Sequence, residues 1–154
     1  MITAGSSSVL DIDVVQEHVQ YQAQIPDWNG AIPIENLDAK QLHLLRGIHS
    51  VASLSPNWDS YESPPPTPAA IMSAVAQVVR VDLSNLPVPH VAPVSGGGVQ
   101  LIWQNDGRSL DLEFLPNGNI EYLTSQGGTH RLEGELTAAD YQMTQALVAW
   151  LAAA

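Results

Sequence analysis

The chain alternates apolar and polar residues through most of its second half. Four such runs follow one another between residues 91 and 136, and each has the period of two that a half-buried β-strand shows. Turn-forming residues separate the runs, as in an antiparallel hairpin. The pattern predicts an antiparallel four-stranded meander with one apolar face and one polar face. The separating turns are Asn105-Asp106-Gly107, Pro116-Asn117-Gly118 and Gln126-Gly127-Gly128.

Two stretches before this region show helical spacing instead. Asp38 and Gln41 have the spacing of a capping box, and apolar residues then recur every three or four positions up to Val51. Thr67-Pro68 resembles an N-cap followed by the first helical residue, and a second apolar stripe continues to about Arg80. We therefore expect two helices ahead of the meander, joined by a proline-rich connector.

A third helix is predicted from Ala138 to about Ala152, because Thr137 and Asp140 repeat the capping-box spacing. Its residues are apolar on most sides, so most of its surface should be buried. Two interpretations stay open. The helix packs on the sheet within the domain, or it forms an interface with a partner chain or a second copy.

The first 35 residues carry shorter alternating runs. Leu10, Ile12 and Val14 alternate with aspartates, and Val19 to Ile25 alternates with polar residues. These runs predict an N-terminal extended arm over residues 1–35, or a loosely ordered arm packed along the core. Residues 36–154 are then expected to form a single α+β domain: two helices, the four-stranded meander and a C-terminal helix packed on the sheet.

Charge narrows the possible partners. The chain has 16 acidic residues against 5 basic ones, a formal net charge of −11, and no cysteine. A direct nucleic-acid binder or a polybasic membrane anchor needs the basic surface that this chain lacks. No apolar run approaches the ~20 residues of a membrane-spanning helix. We therefore expect a cytoplasmic protein without disulfides, whose partner is a protein, most simply a basic one.

The polar face of the meander concentrates this charge. In the predicted register, Asp111, Glu113, Glu121 and Glu133 point the same way. Like charges directly opposed across strands are destabilising, so the cluster needs an explanation. It is either a solvated open face or a binding face for a basic partner. A calcium or magnesium site is disfavoured because no EF-hand-like spacing occurs, and we expect no metal and no cofactor.

A second candidate lies in the connector after the first helix, at Asn57-Trp58-Asp59 and Tyr61. In the structural interpretation, Trp58 fills a hydrophobic hole while Asn57 and Asp59 bond nearby backbone N–H groups. In the functional interpretation, Trp58, Asp59 and Tyr61 form a recognition platform for the partner.

The stretch Pro56–Ile71 resembles a group of small bacterial proteins that combine an Asn-Trp-Asp motif, a proline-rich stretch and a helix. The similarity extends over about residues 54–123 and includes Pro89–Pro93, Gly97–Trp103 and Leu112–Tyr122. Where those proteins often have glycine after the motif, this chain has Ser60, Tyr61 and Glu62. The resemblance implies a bacterial or phage-related origin and brings no assigned activity.

Catalytic signatures are missing from the sequence. No Gly-x-Ser-x-Gly element occurs, and Gly96-Gly97-Gly98 lacks the Lys-Ser/Thr of a phosphate-binding loop. We therefore expect a non-enzymatic protein that inhibits, neutralises or chaperones a macromolecule, as an antitoxin, an immunity protein or a charge mimic does. The alternative is a structural subunit of a larger complex. A third possibility is an enzyme or ligand-binding module with a pocket near Trp58, Asp59, His90 and Trp103.

Overall fold

The structure is a computed structural model that describes residues 37–154. The arm predicted for residues 1–35 lies outside the described residues. Within residues 37–154, three α-helices and one five-stranded antiparallel sheet form an α+β fold. In chain order the elements are α1 (Ala39–Ala52), α2 (Pro68–Arg80), β1 (His90–Val94), β2 (Gly98–Asn105), β3 (Arg108–Phe114), β4 (Ile120–Gln126), β5 (Thr129–Leu136) and α3 (Tyr141–Ala152).

Local capping fixes where α1 and α2 begin. The Asp38 carboxylate accepts a hydrogen bond from the Gln41 backbone N–H at 2.7 Å, and the Gln41 side chain accepts one from Asp38 N–H at 2.9 Å. This reciprocal capping box confirms the predicted start of α1. Thr67 caps α2 in the same manner through Ala70 N–H, with Pro68 as the first helical residue, also as predicted.

The third helix begins later than the spacing of Thr137 and Asp140 predicts. Asp140, not Thr137, is the N-cap, and its carboxylate accepts a hydrogen bond from Met143 N–H. Residues 137–140 instead form a turn in which Asp140 N–H donates to Thr137 C=O. The first turn expected of this helix is therefore a separate turn that follows β5.

The sheet has five strands, so the expected count of four was wrong. The strands are adjacent in chain order, and every neighbouring pair is antiparallel. The missed strand, β1, contains Pro93 and lies at the edge of the sheet, where a residue without an N–H donor is tolerated. Gly96 and Gly97, with φ of 92° and 103°, make the turn that pairs it with β2. The glycine run therefore joins two strands of one hairpin.

The three helices cover one face of the sheet, which we call the inner face. The α2 and α3 helices lie across β2 and β3, and α1 packs against α2 and β1. Trp103, Leu112 and Phe114 point from the sheet into this layer and are at most 1% exposed. Helix α3 buries Leu147, Val148 and Leu151, leaves Trp150 half-buried and turns Ala146 and Ala149 outward. The inner face and the helices therefore share one hydrophobic core.

No helix within residues 37–154 is both long enough and apolar enough to cross a membrane.

Candidate functional site

The carboxylates predicted to share a face lie on the outer side of the sheet, opposite the helices. The strand register arranges them in two rows that run across the strands. In the first row Glu113 on β3 pairs with Glu121 on β4, and Glu121 pairs with Glu135 on β5. In the second row Asp111 pairs with Leu123, and Leu123 pairs with Glu133. We call these five carboxylates the acidic face: Asp111, Glu113, Glu121, Glu133 and Glu135.

The acidic face is concave. A shallow, open depression of about 470 Å³ lies over it, and all five carboxylate residues line it. Gln100 and Leu123 line the same depression. Because neighbouring strands are ~4.8 Å apart, the three glutamates of the first row begin within ~10 Å of one another along the sheet. The strand twist and this spacing present several negative charges to one approaching surface.

The chain's basic residues are engaged elsewhere. Lys40 donates to the carbonyl oxygens of Leu83, Ser84 and Leu86 in the loop after α2. The guanidinium of Arg80 stacks on Tyr141 at 5.2 Å and that of Arg108 on Trp150 at 4.9 Å.

Arg131, the basic residue on β5, donates to the Gln126 side chain at 3.0 Å, and Arg46 belongs to α1. All five Lys and Arg residues of the chain lie in the described part, and none lines the depression. A cation from outside the chain is therefore the natural counter-charge for this face.

The surroundings of Asp111 and Glu113 shift the pKa values of their carboxyl groups. Burial raises the pKa of Asp111 above its ordinary value, because water is partly displaced from the charged form. Burial raises the pKa of Glu113 as well, and the opposing Glu121 carboxylate adds to the effect. In the protein alone, the acidic face therefore holds its charge at an energetic cost.

Apolar side chains lie between these charges. Ile102 on β2 and Leu123 on β4 flank Asp111 in the second row, and both are half-buried. A ligand on the face would contact an apolar centre with carboxylates around it.

Two histidines stand at the margins of this row. His90 pairs with Ile102 on one side, and His130 Nε2 lies 3.5 Å from a Glu133 carboxylate oxygen on the other. Within residues 37–154, no group of three or more His, Asp or Glu side chains is arranged to hold a metal ion.

The second predicted site, the loop from Asn57 to Ser63, is tied together internally. Asp59 Oδ1 accepts from Tyr61 N–H at 2.9 Å, and its Oδ2 accepts from the Ser63 hydroxyl at 2.6 Å. These bonds lower the pKa of Asp59, the Ser63 hydroxyl having the largest effect. Trp58 donates its indole N–H to Pro64 C=O at 2.9 Å. Asp59 is therefore an organising residue of the loop, as turn aspartates are.

The aromatic residues of this loop differ in exposure. Trp58 is half-buried, whereas Tyr61 is 87% exposed and lies between Ser60 and Glu62, both with φ of 65°. The hydrogen bonds of Trp58 and Asp59 stay within residues 58–64 and do not reach the acidic face. The predicted site residues thus occupy two separate places: four carboxylates on the sheet, and three residues in the loop.

The structure does not bring together the residues of the pocket predicted near Trp58, Asp59, His90 and Trp103. Trp103 points into the core and is 1% exposed, whereas His90 pairs with Ile102 and belongs to the outer side of the sheet. The two residues therefore lie on opposite faces of the sheet.

Sequence reasoning missed one carboxylate of the acidic face, Glu135, and the apolar residues between the charges, Ile102 and Leu123. Glu135 follows Glu133 by two residues, so the alternation of β5 already placed both on one side. Ile102 and Leu123 were harder to assign, because an apolar residue at an outward position breaks the alternation that marks the strand.

Comparisons with known proteins identified no relative of this chain. A scan against protein-family models found no match, and neither did searches of curated proteins and of solved structures.

Proposed function

We propose that the protein binds a Lys- and Arg-rich surface of a partner protein on its acidic face, and that it inhibits or neutralises the partner by covering that surface. The observation that carries the proposal is the row Glu113–Glu121–Glu135: three glutamates in register on adjacent strands, with no Lys or Arg of the chain beside them.

The energetics of this row favour a cationic ligand. Like charges directly opposed on neighbouring strands destabilise a sheet. A cation placed between Glu113 and Glu121 would turn that repulsion into attraction. It would also remove the cost that burial imposes on the charged form of Glu113. Binding of a cation would therefore relieve the repulsion and the burial penalty of the ionised carboxylates, and this relief would add to the binding free energy.

The shape of the face suits a protein surface better than a lone ion. The depression is open and spans four strands, and Leu123 lies between Asp111 and Glu133 in the second row. A basic partner with an apolar residue among its lysines and arginines would bury that residue against Leu123 while its cations meet the carboxylates. Charged rims around an apolar centre are common in protein interfaces.

The net charge of the chain assists the encounter. With a formal charge of −11, the protein attracts a basic partner over distances longer than the contact itself. Such steering raises the association rate and weakens as salt is added. An antitoxin, an immunity protein and an inhibitor that mimics nucleic-acid charge would all use a face of this kind, in the cytoplasm of a bacterial cell.

The experiment compares two double variants that remove the same charge. Glu113→Gln with Glu121→Gln neutralises the centre of the acidic face. Glu62→Gln with Asp106→Asn removes two charges from exposed positions outside it. The probe is a synthetic peptide in which lysine and arginine alternate with leucine, titrated by fluorescence anisotropy at low and at physiological salt.

We expect the face variant to weaken peptide binding by about tenfold or more, since charged interface pairs of this kind carry ~1.5 kcal/mol or more. The control variant should lose less than about twofold. Equal losses in the two variants would show that the peptide responds only to net charge, and the acidic face would not be a site.

A further inference from the structure

Strand β5 forms the edge of the described sheet opposite β1. β5 pairs with β4 on one side, and within residues 37–154 no other strand lies beside it. Five of its first six residues are exposed and the sixth is half-buried, so both faces of the strand meet solvent over most of its length. An edge strand of this kind presents a row of backbone N–H and C=O groups to any strand that can pair with it.

The inner face is exposed at Leu132 of β5, although Leu136 at the end of the same strand is buried. The helices lie over β2 and β3, and Leu132 on β5 is 56% exposed. On the same side, Leu132 pairs with the buried Thr124 of β4, and the next pair is Gly134 with the half-buried Tyr122. A strand added beside β5 would place its own apolar side chains over Leu132 and extend the core by one strand.

Charge decides which strand fits. Glu133 and Glu135 project from the outer side of β5, next to Glu121 and close to Asp111 and Glu113. A second copy pairing β5 with β5 would bring two more glutamates to that side, four in all, which cross-strand repulsion opposes. An acidic strand is opposed for the same reason. A strand with one apolar side and one neutral, hydrogen-bonding side meets no such penalty.

The chain itself contains one such segment, His18–Ile25. Its sequence, HVQYQAQI, holds no Asp, Glu, Lys or Arg, and it alternates strictly. Val19, Tyr21, Ala23 and Ile25 would share one side, and the three glutamines would share the other with His18. Glutamine amides donate hydrogen bonds to carboxylates, so the polar side complements Glu133 and Glu135. The other alternating run of the arm, Leu10–Val14, carries Asp11 and Asp13 and would repel them.

The connection is long enough. Residues 26–36 separate Ile25 from Leu37, and these eleven residues reach up to ~36 Å when extended. Helix α1 begins two residues after Leu37 and packs against β1, and four strand spacings of ~4.8 Å, about 19 Å in all, separate β1 from β5. A strand of eight residues such as β5 is only ~26 Å long, so the segment can lie along it in either direction.

We propose that residues 18–25 pair with the free edge of β5 as a sixth strand, with their apolar side over Leu132 and their glutamines beside Glu133 and Glu135. This pairing protects the open edge, and it leaves Glu113 and Glu121 at the centre of the acidic face accessible.

Hydrogen exchange of the full chain tests the pairing. The double variant Val19→Asp with Tyr21→Asp disrupts the apolar side of the segment, and Leu10→Asp with Ile12→Asp makes an equal change in the other run. We expect backbone amides of residues 129–136 to exchange about tenfold faster or more in the first variant, and at the wild-type rate in the second. Amides of β2 and β3 should keep their protection in both, which shows that the domain stays folded. Unchanged exchange in β5, or the same acceleration in both variants, overturns the proposal.

Disulfide trapping gives a second, independent readout, because the chain has no cysteine of its own. Leu132→Cys is combined in turn with Val19→Cys, Tyr21→Cys and Ala23→Cys, and with Ile12→Cys as the control. We expect one of the three pairs to close rapidly within a monomer, since one register places its two sulfurs together. Equal closure with Ile12→Cys would indicate random collision, and covalent dimers would identify a second copy at this edge. Either result contradicts the proposal.

Discussion

Glu113 and Glu121 stand directly opposite each other on β3 and β4, on the side of the sheet that faces away from the helices. The Glu121 carboxylate raises the pKa of Glu113, in addition to the larger effect of burial. A pair of like charges in this position costs stability, and the same pair is the centre of the proposed binding face. Stability and binding should therefore respond in opposite directions when either charge is removed.

Neutralising one member of the pair should stabilise the free protein. We expect Glu121→Gln to raise the free energy of unfolding by ~0.2–1 kcal/mol, because it removes cross-strand repulsion and keeps the side-chain shape. Urea denaturation at pH 7 and low salt measures the change. The matched control is Glu62→Gln, because Glu62 is an exposed glutamate in the loop after α1. This variant should change the free energy of unfolding by less than ~0.5 kcal/mol. A destabilised Glu121→Gln protein would mean that the carboxylate makes a favourable contact in the fold.

Lowering the pH should reduce the destabilisation that the ionised carboxylates of the acidic face cause in the folded protein. Asp111 and Glu113 have folded-state pKa values above their ordinary values of 3.8 and 4.5. Each therefore favours folding most at a pH below its ordinary value, and this contribution is lost as the pH rises through the raised pKa. At pH 7 the variant Asp111→Asn with Glu113→Gln should be more stable than the wild type, and the gap should narrow as the pH falls toward 4.

The gap between variant and wild type is the informative quantity, because other carboxyl groups act in the opposite direction. Hydrogen bonds from Ser63 and Ser84 lower the pKa values of Asp59 and Asp82, so those groups stabilise the fold above their ordinary pKa and lose that effect on acidification. Both proteins retain these two aspartates. A gap that stays constant between pH 7 and pH 4 would show that Asp111 and Glu113 titrate as ordinary surface groups.

The two aromatic residues of the Asn57–Ser63 loop should differ in their effect on stability. Tyr61 is 87% exposed, so Tyr61→Ala should change the free energy of unfolding by less than ~0.5 kcal/mol. Trp58 is half-buried and bonded to Pro64, so Trp58→Ala should cost more than Tyr61→Ala but less than the ~3–5 kcal/mol of a fully buried tryptophan. Thermal or urea unfolding separates the two variants. A full core-sized loss in Trp58→Ala would indicate that the loop packs more tightly than its exposure shows.

A close approach of two strands should make Gly98 intolerant of a side chain. A Cβ atom built there would lie 2.9 Å from the backbone oxygen of Phe114, and a backbone oxygen of a paired strand cannot move aside cheaply. We expect Gly98→Ala to cost ~1–3 kcal/mol, as overpacked positions do. Gly134→Ala is the comparison, because the atoms it meets belong to the half-exposed side chain of Tyr122, which can turn away. A larger loss at Gly134 than at Gly98 would contradict this explanation.

Features that depend on residues close together in the chain were predictable. Asp38 and Gln41 cap α1 because their side chains reach backbone N–H groups three positions away, and Thr67-Pro68 starts α2 for a similar reason. Asp106-Gly107 closes the β2–β3 hairpin because both residues accept positive φ. The period-two pattern placed Asp111, Glu113, Glu121 and Glu133 on the polar sides of their strands.

Features that depend on pairing between distant residues needed the tertiary structure. The local sequence does not predict β1, because Pro93 disfavours a strand. The strand forms because it pairs with β2 at the edge of the sheet, where a residue without an N–H donor is tolerated. Alternation shows only which side of its own strand a residue occupies. The opposition of Glu113, Glu121 and Glu135 follows from the register of two hairpins, and a shift of one residue in either would turn a whole strand over. Sequence by itself determined the helix starts, turns and strand faces, because these are short-range interactions, whereas the charges that meet across the sheet were decided by long-range packing.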